Sequence, residues 1–378
     1  LISLINGISG LKDVSQLSSM GGKTIGIYIA TTVMAITIGL VTVNLIKPGN
    51  SFSDEVKQEL VSQNAQKTLE TGEKATAQKN SGPLQFLVDM VPDNIFLSAG
   101  DNRNMLQVIF FALMFGIALI ISPDQSKVEP IKKFFDGANE VILKMVDLIM
   151  YFAPIGVFAL LGNIMVELAG DDPAAAIEIL KGLGVYSLTV VLSLAIMVFI
   201  MYPLILKFLA GYSYTRFFQG IAPAQLLAFS TSSSAATLPL TMERCEEKLG
   251  VSNKVASFVL PLGATINMDG TSLYQAVASV FIMQVLWPEG LIFSNQLVII
   301  LTALLASIGS AAVPGAGMVM LVIVLDAVGF PKELLPIGLA LIFAVDRPLD
   351  MLRTTINVTG DACVSMVIAK SEGKLGSP

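Results

Sequence analysis

The sequence predicts an all-α polytopic membrane protein, arranged as an inverted repeat with two re-entrant helical hairpins. Three observations carry this. Hydrophobic residues make up 54% of the chain and charged residues only 14%, with a mean hydropathy of +0.74, whereas soluble domains carry about 25% charged residues. Two apolar stretches are each interrupted at their middle by small residues and proline, at 230–239 and 309–317. Paired interruptions of this kind mark secondary transporters with a binding site near the bilayer midplane. Finally, the apolar stretch 337–369 carries Asp346, Asp350, Arg353, Asn357 and Asp361 in steps of four, three, four and four. On a helix these share one face, and charges inside a span face a cavity, an ion path or a substrate. The bland alternative is a structural ladder, since Asp350 and Arg353 can satisfy each other at i,i+3.

Composition excludes several function classes. The chain has no histidine, which removes His-based proton relays, His metal sites and Ser-His catalysis. The net charge of −6 argues against a nucleic-acid partner. Cys245 and Cys363 lack metal-ligand company and read as free and buried. The chain begins at Leu1 with a half-span-like segment, 1–11, which reads as a chain lacking earlier spans rather than one with a signal peptide.

Taken in order, residues 24–46 are apolar for long enough to cross a bilayer. Tyr28, Thr31 and Thr32 share one face of this span, and the ordinary reading is hydroxyls bonded to the preceding turn. Residues 48–83 are rich in Ser, Gln, Lys and Glu and read as a solvated, mobile loop. Residues 83–98 and 105–121 form a broken apolar pair, 128–167 a span kinked at Pro154 and Gly156, and 182–209 a further span. Basic residues concentrate around Lys127, Lys132 and Lys133, around Lys207 and Arg216, and around Arg244, Lys248 and Lys254, which places those connectors in the cytoplasm. Arg216 and Arg244 then lie on the same side although 217–240 is largely apolar. A hairpin with its tip at 230–239 resolves this, with Pro239 in the first turn of the returning helix. Backbone exposed at that depth is tolerated only where it lines a cavity. Residues 294–308 and 318–328, broken by 309–317, repeat the pattern from the other face. Between the hairpins, 255–286 is interrupted by Asn267-Met268-Asp269-Gly270-Thr271. Unwound carbonyls with one carboxylate suit Na⁺ or another hard cation.

The segments 232–239 (SSSAATLP), 267–275 (NMDGTSLYQ), 307–317 (SIGSAAVPGAG) and 350–361 (DMLRTTINVTGD) together resemble the dicarboxylate/amino acid:cation symporters, the glutamate transporter family. The likeness runs in order over essentially the whole chain, and it implies that the chain opens just before that family's third span. It implies a glutamate-transporter-like fold, with the start of a transport domain at 1–46, a polar extracellular loop at 47–82 and scaffold or trimerisation spans at 83–175. The rest of the transport domain occupies 176–378, with hairpins at 215–247 and 292–330, a broken span at 252–287 and a last span at 333–372. It also implies a homotrimer in the cell (inner or plasma) membrane, multi-pass, moving a small acidic substrate with sodium ions and no organic cofactor.

The resemblance assigns roles residue by residue. Arg353 would clamp the substrate's side-chain carboxylate, a bidentate task suited to guanidinium. Asp350, with Thr354 beside it, would accept the amino group. Asn357, with Ser234 and backbone amides of the first tip, would take the α-carboxylate; Ser232 and Ser233 would also belong to the substrate site, and Thr271 would line the pocket. Val313 and Gly317 would belong to the outer gate. One sodium site would use Asp361, Asn267 and the carbonyls of Gly263 and Asn357. A second would use Thr265 and the carbonyls of Ser307, Ile308 and Ser310. A third would use Asp269, Tyr28, Thr31, Thr32 and Asn267, which reverses the ordinary reading of the first-span hydroxyls. Closure of the second tip over both ligands would let each stabilise the state the other needs.

Three departures from the family pattern matter. Ser232 stands where archaeal aspartate carriers have arginine, and Met351 where mammalian-like members have it. Arg347, one turn before Met351, is the candidate replacement, the alternative being a rim charge paired with Asp346. Gln275 stands where proton-coupled relatives have glutamate and cannot titrate, so sodium coupling without that proton route is expected. Ala235 and Ala236 also depart, with no direction of effect assigned. Retention of Arg353 points to an acidic substrate, and Asp350 to an amino acid over a plain dicarboxylate.

Two other classes compete. Asp346 and Asp350 could be read as a protease dyad, but Arg347 and Arg353 beside them would keep both ionised, whereas such a dyad shares a proton. An anion channel would not need a substrate-shaped Asp/Arg/Asn constellation.

Overall fold

The computed structural model describes residues 20–58, 91–100, 105–152, 173–308 and 315–376, with positions 2, 5, 155, 158 and 159 besides. Among these residues the chain is all helical, with a single isolated bridge, Val251 to Leu375, in place of any strand. The helices are α1 (Met20–Ile46), α2 (Ile95–Gly100), α3 (Met105–Ile121), α4 (Gln125–Tyr151) and α5 (Pro173–Ile196). They continue with α6 (Tyr214–Thr231), α7 (Ser234–Glu247), α8 (Asn253–Ile266), α9 (Asp269–Leu286), α10 (Phe293–Ile308), α11 (Ala316–Ala327) and α12 (Leu335–Ser371). Among the described residues, two stretches are long and apolar enough to cross a membrane by length and composition, Met20–Ser51 and Ile177–Ala210, with mean hydropathies of 2.1 and 2.5.

α9 is the centre. All its residues are buried, and α1, α5, α10, α11 and α12 pack around it. A helix buried on every side needs mostly apolar or small residues all round, and DGTSLYQAVASVFIMQVL supplies them apart from Asp269, Gln275 and Gln284. α12 is the second axis, buried almost continuously from Ile356 to Ala369. α2, α3 and α4 pack chiefly on one another.

α5 continues to Ala210 through two π-helical turns, Met197–Met201 and Leu206–Ala210, around a short α-helical turn, Tyr202–Ile205. α6 and α7 form an antiparallel pair closed at 232–233, with the Arg244 side chain donating to the Gly220 carbonyl at 2.8 Å. The start of α7 differs from expectation. Pro239 is its sixth residue, not part of its first turn. Ser233 caps the helix instead, accepting from the Ala236 amide at 3.2 Å, and the capping hydroxyl starts the helix earlier than the proline would.

The polar loop also differs where it is described. Residues 48–58 are anchored as well as solvated: Phe52 and Val56 are buried, while Asn50, Ser53, Asp54, Glu55 and Gln58 are exposed. Phe52 occupies the space left by Gly182, Gln284 accepts from the Gly49 amide at 2.9 Å, and Glu178 accepts from the Ser53 amide. Two apolar residues in a polar run are enough to anchor it. In 83–98, the described helix is only Ile95–Gly100. α4 begins at Gln125 and ends at Tyr151; Pro154 and Gly156 lie outside the described residues.

Candidate functional site

Among the described residues, Arg353 is the largest side chain with no solvent exposure. Its guanidinium meets Asp350 at 2.6 Å and Asp346 at 3.0 Å. One face lies on the Tyr274 ring, 3.7 Å from its centroid. Gly317 lies close enough that a methyl there would stand 3.3 Å from Nη1. Burying a guanidinium requires paired charge and hydrogen bonds, and two carboxylates on its own helix supply the charge. The ladder reading of the stripe thus holds for Asp346, Arg353 and Asp350. Asp350 also reaches outward, accepting from the Gly315 amide at 3.0 Å and facing Arg347 at 3.8 Å. Arg347 therefore pairs with Asp350, not Asp346. Thr354 spends its hydroxyl on the Asp350 carbonyl.

Asn357 joins α12 to α9: it accepts from the Gly270 amide at 2.8 Å and donates to Thr271 at 3.2 Å. The approach is close because residue 270 is glycine; a side chain there would overlap the Arg353 backbone. The first tip joins α6 to α7. Ser232, Ser233 and Ser234 are all buried. Ser232 has φ 51°, uncommon for a residue with a side chain, and its buried hydroxyl has no hydrogen-bond partner among the described residues. Of the second tip, Ser310 and Val313 lie outside the described residues, while Gly315 has φ 77° and starts α11.

A second polar cluster lies beneath. The break between α8 and α9 is confined to Asn267 and Met268, shorter than expected, so Asp269, Gly270 and Thr271 are helical. Asn267 accepts from Thr31 at 3.1 Å and from Thr32 at 3.4 Å, and donates to Asp361 at 3.0 Å. Thr32 donates to Asp269 at 3.0 Å. Thr31 also lies within reach of the Tyr28 carbonyl at 3.1 Å, so the ordinary reading of these hydroxyls accounts for only part of what they do. Tyr28 donates to the Val259 carbonyl at 2.9 Å, not to Asp269. Its hydroxyl and Asp361 both fill the space left open at Gly263. Asp269 and Asp361 are buried, and no basic side chain pairs with either among the described residues. Thr265 and Ser307 each turn the hydroxyl onto the preceding turn, to Leu262 and Leu304. Ile308 ends α10.

Sequence reading missed Tyr274, the platform under Arg353, and Tyr202, which donates to Asp269 at 2.9 Å. The available signal was a tyrosine in an otherwise apolar span, but its partner is 67 residues away and no local spacing reveals it.

The sodium:dicarboxylate symporter family matches residues 1–371. The chain belongs to this family. Its members are transporters, not enzymes. Among curated relatives, the symporter is 35% identical over 372 residues to the proton/sodium-glutamate symport protein of Bacillus subtilis (strain 168), covering 98% of this chain and 81% of that one. It is 35% identical over 403 residues to excitatory amino acid transporter 2 of Homo sapiens, covering 95% and 68%. With an excitatory amino acid transporter of Caenorhabditis elegans it shares 36% over 392 residues, covering 95% and 75%.

Proposed function

We propose that this symporter takes up L-aspartate or L-glutamate together with sodium, as a homotrimer in the cell membrane working by elevator-type alternating access. The observation that carries the substrate reading is the fully buried Arg353, flanked by Asp346 and Asp350 and roofed by Gly317. The substrate's side-chain carboxylate takes part of the guanidinium fork, its amino group takes Asp350, and its α-carboxylate lies between Asn357 and the Ser232–Ser234 tip at the start of α7, where helix amides favour an anion. Gly315, bonded to Asp350, links the second tip to that same carboxylate, so occupancy and gate closure share one group. Val313 joins Gly317 in that gate.

The sodium reading is supported by two buried carboxylates, Asp269 and Asp361, set among oxygens of Thr31, Thr32 and Asn267. Carboxylates in a low-dielectric interior attract a cation strongly. Tyr28, Gly263 and the Asn357 carbonyl complete these two sites. Thr265 with the carbonyls of Ser307, Ile308 and Ser310 forms the remaining one when the outer hairpin closes. Both hairpins are re-entrant within an inverted repeat. The separate packing of α2–α4 supports a scaffold at 83–175 and a transport part formed by 1–46 and 176–378.

The test is uptake by the protein in liposomes under an inward sodium gradient, with choline as control. Sodium-dependent accumulation of L-aspartate, competed by neither succinate nor L-serine, is the expected result. Competition by succinate would move the substrate to C4-dicarboxylates and leave Asp350 without its role. Saturation and accumulation against a gradient separate a carrier from an anion conductor. No proton influx should track uptake, because Gln275 cannot titrate. In the same assay, Arg347→Ala is expected to raise the half-saturating L-aspartate concentration by about fivefold, the effect of a partly exposed charge worth about 1 kcal/mol. A wild-type rate and affinity would remove Arg347 from the site.

A further inference from the structure

Tyr202 is buried without solvent exposure and sits where α5 is least regular, between the two π-helical turns and before Pro203. π-helical turns recur at functional sites, since the extra residue re-aims side chains. Here they leave Phe199, Ile200 and Leu204 exposed and turn Tyr202 inward. Its hydroxyl lies 2.9 Å from Asp269 Oδ2 and 3.2 Å from the Ile356 carbonyl, one residue before Asn357. The other Asp269 oxygen, Oδ1, accepts from Thr32. Room for this arrangement comes from Gly360: a methyl there would stand 2.7 Å from the Tyr202 hydroxyl, 2.9 Å from Asp269 Oδ2 and 3.2 Å from the Asn267 amide nitrogen.

We infer that Tyr202 is a positioning residue for cation selectivity, one that occupies Asp269 Oδ2 so that Oδ1 alone faces the Thr31, Thr32 and Asn267 oxygens. This rests on the cation-site reading above. A carboxylate with one oxygen tied to a fixed donor presents a single oxygen in a set direction. Freed of that donor it rotates and offers both, which relaxes the size of ion it accepts. The second acceptor, the Ile356 carbonyl, ties the same hydroxyl to the stretch of α12 that carries Asn357.

The experiment is thermal unfolding of the purified full chain without amino acid, titrated with NaCl or LiCl against choline chloride at constant ionic strength. An ion that binds only the folded state raises the midpoint with its concentration. Tyr202→Phe is expected to raise the sodium concentration needed for a given shift about tenfold, the scale on which groups that orient metal ligands act. It is also expected to narrow the gap between sodium and lithium, which a merely structural loss of stability would not do. Asp269→Asn is the reference and should raise the sodium requirement at least as far. If Tyr202→Phe superimposes on wild type in both salts while Asp269→Asn does not, Tyr202 has no such role. If Asp269→Asn also leaves the sodium curve unchanged, the cation-site reading falls and the inference with it. Should Tyr202→Phe lack a cooperative transition in choline, Gly360→Ala, which wedges the same three groups, is read against the same two outcomes.

Discussion

Arg353→Ala is expected to lower affinity for an acidic amino acid by about 100-fold or more and to destabilise the protein at the same time. Arg353 is the shared counter-charge of Asp346 and Asp350, both of which are 7% exposed. Removing one partner of a buried pair leaves an uncompensated charge, at a cost of about 3–5 kcal/mol, and about 1.4 kcal/mol is tenfold in affinity. Two measurements separate fold from function. Asp346→Asn combined with Arg353→Ala should recover part of the thermal stability, because one stranded carboxylate is gone. It should not recover acidic substrate binding, because no guanidinium faces the substrate. Arg353→Lys should fall between, as an ammonium is a point charge without the planar fork. Acidic uptake that survives Arg353→Ala at wild-type affinity would overturn the substrate reading.

Gly270→Ala is expected to cost about 3 kcal/mol, near the upper end for overpacking a tight contact. The new methyl would overlap the carbonyl oxygen of Arg353 and lie 3.0 Å from its carbonyl carbon and Cα. These are backbone atoms of a buried helix and cannot turn aside as a flexible side chain does. Relief requires α9 and α12 to separate, which stretches the 2.8 Å bond from the Gly270 amide to Asn357. Substrate affinity should therefore fall along with the unfolding midpoint. Gly26→Ala is the control: in α1, a methyl at Gly26 meets no atom within 4 Å, and its effect should stay within about 1 kcal/mol of either sign. Equal effects at the two positions would show that the α9–α12 contact is not the constraint.

Several helices and the stripe on the last of them were legible in the sequence because both depend on short-range periodicity. The steps from Asp346 to Asp361 place five polar residues on one face whatever packs against it, and α12 runs through all of them. Apolar length marked α1, α5 and α9, and the Ser-rich tip between α6 and α7 followed from charge on either side of an apolar run. Boundaries were less legible. Pro239 suggests the first turn of a helix, whereas Ser233 caps α7 earlier and leaves Pro239 at its sixth position. Phe52 and Val56 were lost in a polar run because burial of two side chains changes local composition little.

Pairings between distant elements belonged to the tertiary structure alone. Arg347 is the exception, since it shares a helix with both candidate carboxylates: Asp350 at i,i+3 lies on its face and the adjacent Asp346 does not, and Arg347 stands 3.8 Å from Asp350. The first-span threonines could as well have bonded to their own turn, and only the approach of α1 to α9 set them against Asn267 and Asp269. Tyr202 and Tyr274 became site residues for the same reason. Their partners, Asp269 and Arg353, lie 67 and 79 positions away. By itself, then, the sequence determined that the chain is helical and apolar and which polar residues share a face, because these follow from composition and from periods of a few residues. Only the tertiary structure decided which polar groups meet, because a buried charge is tolerated just where the fold brings a partner to it.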